Sequence, residues 1–361
     1  MADDARRTPR RGRAWAGGAG RAVASLGTIQ PAPEPRWPIA LQAAVSMATP
    51  VAVGVAAGHH EVGLLASSGA FTCLYVGWRR SVERVKVLPI VALALTASAA
   101  LGALTGPSPV ATAFGLVAVT LAAAAASFAW SLGPPGALFP VLVYGLCAHV
   151  SVIDGGERVQ EPGVVVGAIA AGSAFACLVA ASALIRPSHR RPSGAPLRDI
   201  LPGPSWDGAA PELMLRVAIV AVVGTAASML AVDPERAYWV VGAGVAVIGS
   251  RPGRGAAASR GLHRIVGTFV GALLYLAVGA WVELPVAALI AILGGLQFLA
   301  QLMVVRHYAI ALAFITPTVL MLANAAAGSA PTVPVVAERV IDTVVGGALG
   351  ALTGLVHRPR A

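Results

Sequence analysis

The chain has 361 residues, 57% of them hydrophobic and only 12% charged, with a mean hydropathy of +0.77. That much apolar sequence exceeds what one water-soluble core can bury, which excludes an ordinary cytosolic enzyme and a disordered chain and leaves an integral membrane protein. A net charge of +10 would suit a nucleic-acid binder, so the positions of the 26 Lys and Arg decide what they do.

Residues 1–37 carry Arg6, Arg7, Arg10, Arg11, Arg13, Arg21 and Arg36 among Pro, Gly and Ala, without an uninterrupted apolar stretch. They read as a disordered basic cytoplasmic tail, not a signal peptide. Apolar runs then follow at about 38–57, 62–78, 87–105, 109–131, 136–153 and 163–185. At about 20 residues per crossing, these predict a first six-helix membrane repeat over 38–185. Residues 186–211, with five prolines from Pro187 to Pro204, read as a polar cytoplasmic linker. Further runs at about 212–232, 237–250, 262–281, 284–304, 307–326 and 334–356 predict a second six-helix repeat over 212–357. The expected fold class is all-α, a polytopic membrane protein of about twelve transmembrane helices. Low aromatic content and abundant Ala, Gly and Val favour packed helices over a β-barrel. Cys73, Cys147 and Cys177 lie in apolar runs and read as small core residues.

The two halves share landmarks about 172 to 175 residues apart: a basic break after the second run (Arg79 to Lys86, Arg251 to Arg264) and an Arg-Pro pair after the sixth (Arg186-Pro187, Arg358-Pro359). Six crossings return the chain to the side it left, so the repeats are expected to be parallel. With both termini cytoplasmic, 22 of the 26 Lys and Arg fall on the inner side. The outer breaks hold acids instead, among them Glu61, Asp154, Glu157, Glu161, Asp233, Glu235 and Glu283. The basic charge is therefore membrane orientation, and no nucleic-acid partner is expected.

Walker A, HExxH and nucleophile-elbow patterns are missing from the sequence. No enzyme activity, cofactor or metal is expected, and His59-His60-Glu61 reads as an interfacial turn. Charges within the spans are then the informative residues, because each costs about 2.5 to 3.5 kcal/mol at the bilayer centre unless paired or hydrated. Glu338, Arg339 and Asp342 lie in the first two turns of the last helix, with Glu338 and Asp342 on one face. They read either as a proton- or substrate-linked site or as an ion-paired helix start, with Asp342, the deepest acid, the candidate coupling residue. Arg216 follows Glu212 by four residues, as an i,i+4 pair at the inner interface. The two basic breaks mark orientation or flank one anion-attracting mouth. Gly346, Gly350 and Gly354, with Gly267 and Gly271, are expected to let helices approach closely. Gln297, Gln301, Thr316, Thr318 and Asn324 line a path or hydrogen-bond between helices.

The segment Ala237-Tyr238-Trp239-Val240-Val241, followed by Arg251-Pro252 and by Arg264-Ile265-Val266-Gly267-Thr268-Phe269-Val270-Gly271, resembles the membrane domain of the fusaric acid resistance protein family. Arg306-His307-Tyr308-Ala309 resembles that family's Arg-Asn-Tyr-Ala segment, with His307 in place of Asn. Glu338-Arg339-Val340-Ile341-Asp342-Thr343 resembles its closing Arg-x-x-Asp-Thr motif. The resemblance runs from about 215 to 356. It implies likeness to aromatic acid exporters and, more distantly, to plant malate channels, with an anion path between two six-helix units. Many family members carry a large cytoplasmic helical domain, where this chain has only its linker. Asp342, Arg339, Glu338, Arg264, Thr268, Arg306, Tyr308 and Arg216 are the candidate substrate or coupling residues, and the resemblance strengthens Arg264, Arg339 and Asp342 among them.

The reading is an inner-membrane transporter that exports small organic, aromatic carboxylate-like anions by a secondary mechanism without ATP. Its partners are the lipid bilayer and the anion, and a homo-oligomer is compatible with the sequence. An uncoupled anion channel and a non-transporting scaffold are the rival classes.

Overall fold

The computed structural model describes residues 20–31, 35–186, 194–249, 253–279, 285–327 and 333–357. Arg6 to Arg13, Pro187 to Arg191, Arg251, Glu283, Arg358 and Arg360 lie outside the described residues, as do the side chains of Asp154 and Asn324.

The chain is an all-α polytopic membrane protein. Its main helices are α1 (Trp37–Ala56), α2 (His60–Ser67), α3 (Ser81–Thr105), α4 (Pro109–Ala129), α5 (Leu138–His149) and α6 (Pro162–Ala181), then α7 (Ala210–Ala231), α8 (Ala237–Ile248), α9 (Arg254–Gly279), α10 (Val286–Met303), α11 (Tyr308–Ala327) and α12 (Val333–Leu352). Proline in the first turn starts α1, α4, α6 and α7, where the missing N–H has no helical partner to lose. Ser108 caps α4 by accepting from the Ala111 N–H at 3.3 Å. A two-residue hairpin pairs Ile153–Asp154 with Glu157–Arg158. Its turn residues Gly155 and Gly156 have φ of 60° and 92°, values that favour glycine. Arg158 Nη1 donates to the Ala103 carbonyl at 3.0 Å, tying the hairpin to the end of α3.

Among the described residues, seven helices are long and apolar enough to cross a bilayer, and α5 and the first part of α11 are shorter apolar helices. Large apolar side chains such as Phe114, Leu178 and Leu230 are exposed on the surface of the helix bundle, as suits a face turned to lipid. The run at 62–78 is not one spanning α-helix. After α2 it tightens into a 3-10 segment, Ser68–Leu74, and ends at Val76 with φ of 46°, a conformation in which a β-branched residue is strained. The run at 237–250 yields only the 12 residues of α8, about 18 Å of helix against a hydrocarbon core of about 30 Å. All of α8 except Trp239 is buried, so its apolarity reflects enclosure by protein.

Packing pairs recur between the halves. In the first half α3 packs on α5 and α6, and α2 on α1 and α6; in the second, α9 packs on α11 and α12, and α8 on α7 and α12. Contacts between halves are reciprocal: α1 meets α10 as α4 meets α7, and α2 meets α11 as α5 meets α8. The closest approaches match as well. A Cβ on Gly172 of α6 would strike the Ala66 carbonyl of α2, and one on Gly346 of α12 would strike the Val240 carbonyl of α8. The expected glycine packing is also present at Gly350 against Gly244, Gly354 against Ala257, and Gly267 and Gly271 against the Ala309 and Ala313 carbonyls.

Two connecting segments are more structured than the composition suggested. In the linker, Leu197–Ile200 forms one helical turn with Ile200 buried. Lys86 Nζ donates to the Gly194 and Ala195 carbonyls at 3.3 and 2.8 Å, which clasps this segment to α3. In the tail expected to be disordered over 1–37, residues 20–25 form a helical turn, and Ser25, Leu26 and Gln30 all bond to the second half. These partners lie more than 200 residues away in sequence, so no local pattern announces them.

Candidate functional site

Helix α12 buries Val336, Arg339, Asp342, Thr343, Gly346, Gly347 and Gly350. The three- and four-residue spacing therefore turns both charged residues inward together with the glycines that let α8 approach. Asp342 is fully buried. Its carboxylate lies 3.4 Å from Arg236 Nε, an ion-pair distance, yet neither of its oxygens has a hydrogen-bond partner. Arg236 also holds Glu338 at 2.9 Å and Asp233 at 3.2 Å, so one guanidinium serves three carboxylates. Glu338 and Asp342 share a face as expected, and their cation is Arg236 of the α7–α8 connection; the adjacent Arg339 turns elsewhere.

Arg339 packs its guanidinium over the Trp239 ring at 4.0 Å from the centroid, a cation–π contact. It is 7% exposed, and its Nε and Nη1 lack hydrogen-bond partners. Arg264, Tyr238, Tyr308 and Asp342 are all close enough to interact with it electrostatically. Arg264 Nη1 donates to the Tyr308 hydroxyl at 2.9 Å, while its Nε is also unpartnered. The Tyr308 ring lies 5.4 Å below the Arg260 guanidinium. Arg264, counted with the inner basic loop from sequence, is thus buried in α9 within the field of the α12 arginine.

The structure brings Asp342, Arg339, Arg264 and Tyr308 together, with Glu338 linked through Arg236. Thr268 is buried one turn beyond Arg264. Arg306 stays outside: its side chain is exposed, and its carbonyl accepts from Gln30 N–H at 2.9 Å. Arg216 is also apart, buried in α7 with Nε donating to Thr353 Oγ1 at 3.2 Å. The expected Glu212–Arg216 pair does not form; Glu212 engages His357 Nδ1 at 2.9 Å instead. In the first basic break Arg84 and Lys86 are engaged within the protein. Arg84 is buried and spent on Gln42 Oε1 and the Cys73 carbonyl, while Lys86 holds the linker.

Sequence reasoning missed Arg236 and the side-chain role of Trp239. Arg236 looked like one charge in an acidic outer loop; the signal was a lone cation facing more acids than it could neutralise, directly before the Tyr238-Trp239 pair. His307 caps α11. Its Nδ1 accepts from the Ile310 N–H at 3.2 Å, satisfying one of the free donors of the first turn. A cavity of about 280 Å³ opens beside Tyr238, between the start of α4, the end of α5 and the Asp233–Glu235 segment, with His149 and Glu235 3.6 Å apart at its edge.

No curated protein and no solved structure matches the chain. A family model described as fusaric acid resistance protein-like matches residues 217–353, which contain Arg236, Trp239, Arg264, Tyr308, Glu338, Arg339 and Asp342. Over that segment, the second half of this multi-pass membrane protein is similar to the fusaric acid resistance protein-like family.

Proposed function

We propose that the protein exports small organic anions, aromatic carboxylates above all, by a secondary mechanism without ATP. The observation that carries this reading is the pair of buried guanidiniums, Arg339 and Arg264, which retain unpartnered nitrogens beside Trp239, Tyr238 and Tyr308. A buried cation without hydrogen-bond partners is costly in the empty protein and is relieved by an anion. Guanidinium nitrogens match a carboxylate, and the aromatic faces match a flat ring.

Asp342 is the coupling residue in this reading. Ionised, it competes with the substrate for Arg236 and Arg339; protonated, it releases them, so proton and anion each favour binding of the other. The acid then leaves down its own gradient with a proton. Two parallel six-helix repeats, 38–185 and 212–357, joined by a cytoplasmic linker, complete the proposal, with the short segments 60–74 and 237–248 crossing the bilayer enclosed by their neighbouring helices. The reciprocal packing of the halves supports it. Both termini are assigned to the cytoplasm of the inner membrane on the charge distribution.

The test is efflux from proteoliposomes loaded with benzoate, an aliphatic monocarboxylate or an organic cation, with a pH dye inside. Benzoate efflux accompanied by internal alkalinisation is expected, and Asp342→Asn is expected to uncouple the two. Benzoate efflux with no pH change, in the wild type and in Asp342→Asn alike, identifies an uncoupled channel. No carboxylate flux at all overturns the proposal.

A further inference from the structure

Residues 20–31 lie where the inner part of α9 meets the α10–α11 turn, held there by two imidazoles and by the Gln30 N–H, which donates to the Arg306 carbonyl at 2.9 Å. Ser25 Oγ donates to the Ala22 carbonyl at 2.6 Å, which leaves its lone pairs for Ser259 Oγ at 2.7 Å and His263 Nε2 at 2.9 Å. His263 Nε2 must then carry the hydrogen. The opposite nitrogen, Nδ1, accepts from the Ala309 N–H at 3.2 Å and must be bare. His307 repeats the arrangement: Nδ1 accepts from the Ile310 N–H, and Nε2 donates to the Leu26 carbonyl at 2.8 Å. Both tautomers are therefore assigned by their neighbours, and both belong to the neutral ring.

A proton added to either ring would go to Nδ1, where it would oppose a backbone N–H. It would also charge rings whose centroids are 5.0 Å apart. The surroundings offer no compensation. The charged residues adjoining the two histidines along the chain are cations: Arg260 and Arg264 on α9 and Arg306 in the turn. Among the described residues neither ring forms an ion pair with a carboxylate. Glu338 and Asp342 of α12 are engaged by Arg236, and Glu212 by His357.

We propose that residues 20–31 form a latch on the inner end of the α9–α11 pair, closed while His263 and His307 are neutral and released when the cytoplasm turns acidic. The latch sits one residue from each member of the Arg264–Tyr308 pair, so its release bears directly on the anion site. This inference rests on the exporter reading above for its purpose. Weak acids that cross the membrane undissociated ionise inside and lower the internal pH, so the condition that calls for export is also the one that frees the latch. Docking requires proton-free Nδ1 atoms. It is therefore complete while both rings are neutral and lost when acid protonates them.

The experiment is hydrogen exchange on the full-length protein in lipid nanodiscs at pH 7.5 and 5.5, corrected for the intrinsic pH dependence of exchange. Protection of the amides in 20–31 should fall about tenfold or more at the lower pH, and His263→Gln/His307→Gln should remove that difference. Ser25→Arg, on the tail and so outside the membrane fold, should be unprotected at both pH values and should give at pH 7.5 the efflux the wild type shows at 5.5. Equal wild-type protection at both pH values, or a pH response that survives in the double variant, would overturn the latch. Exchange needs no transported solute, so the two ideas fail separately. A pH-dependent tail without carboxylate flux sinks the exporter reading, and flux with a pH-indifferent tail sinks only the latch.

Discussion

The α6–α2 contact of the first half and the α12–α8 contact of the second share a geometry and differ in chemistry. In each, a glycine of the long helix lies against a carbonyl of the short one, Gly172 on Ala66 and Gly346 on Val240, each 174 residues further along. At that register Arg339, Asp342 and Trp239 correspond to Val165, Ala168 and Leu65. Those three apolar residues lie in one buried cluster with Val91, Leu95 and Ile169. The fold therefore makes this contact without charge. Burying a guanidinium and a carboxylate costs several kcal/mol per ion before pairing returns any of it, and the first half shows that the architecture does not require that cost. The difference teaches that Arg339 and Asp342 are retained for something other than packing.

The largest effect should come from exporting the charge to the dry half. Val165→Arg places an unpaired cation in the apolar cluster and should destabilise the protein by about 3–5 kcal/mol, seen as a lower melting temperature and poor recovery from membranes. The converse change, Arg339→Val with Asp342→Ala, gives α12 the side chains of α6. It should lower carboxylate efflux by about 100-fold, through loss of contacts each worth about 1.5–3 kcal/mol, while the melting temperature holds or rises. If efflux and stability fall together, the charged residues are structural and the comparison breaks. Gly172→Ala and Gly346→Ala each push a methyl group into a carbonyl and should each cost about 1–3 kcal/mol. Thermal unfolding should place the two within about 1 kcal/mol of each other if the contacts are as alike as they look. Smallest of all, Tyr308→Phe removes one hydrogen bond from Arg264 and should weaken carboxylate binding by less than about tenfold.

The charges of α12 were legible in the sequence because ionisable residues in apolar runs are rare and expensive, and their spacing fixed the face they share. The helices of both halves were legible from apolar runs. What the runs could not show is how far an apolar segment is enclosed by protein. Ala237–Ile248 reads like a span because every face of it is buried, and 62–78 reads like one until the chain tightens at Ser68. Arg236 and Trp239 join the site through contacts between α8, its preceding loop and α12, about 100 residues apart in sequence. The docking of Ser25 and Leu26 spans still greater separations. Such pairings belong to the tertiary fold and leave no local periodicity.

The most direct test is a structure determined with 4-bromobenzoate, using the bromine to mark the ring. The account predicts the carboxylate within hydrogen-bonding distance of Arg339 or Arg264 and the ring against Trp239 or Tyr238, with no bromine at the matching Leu65–Val165 contact. Bromobenzoate bound elsewhere, with Arg339 and Arg264 unoccupied at saturating ligand, would contradict it.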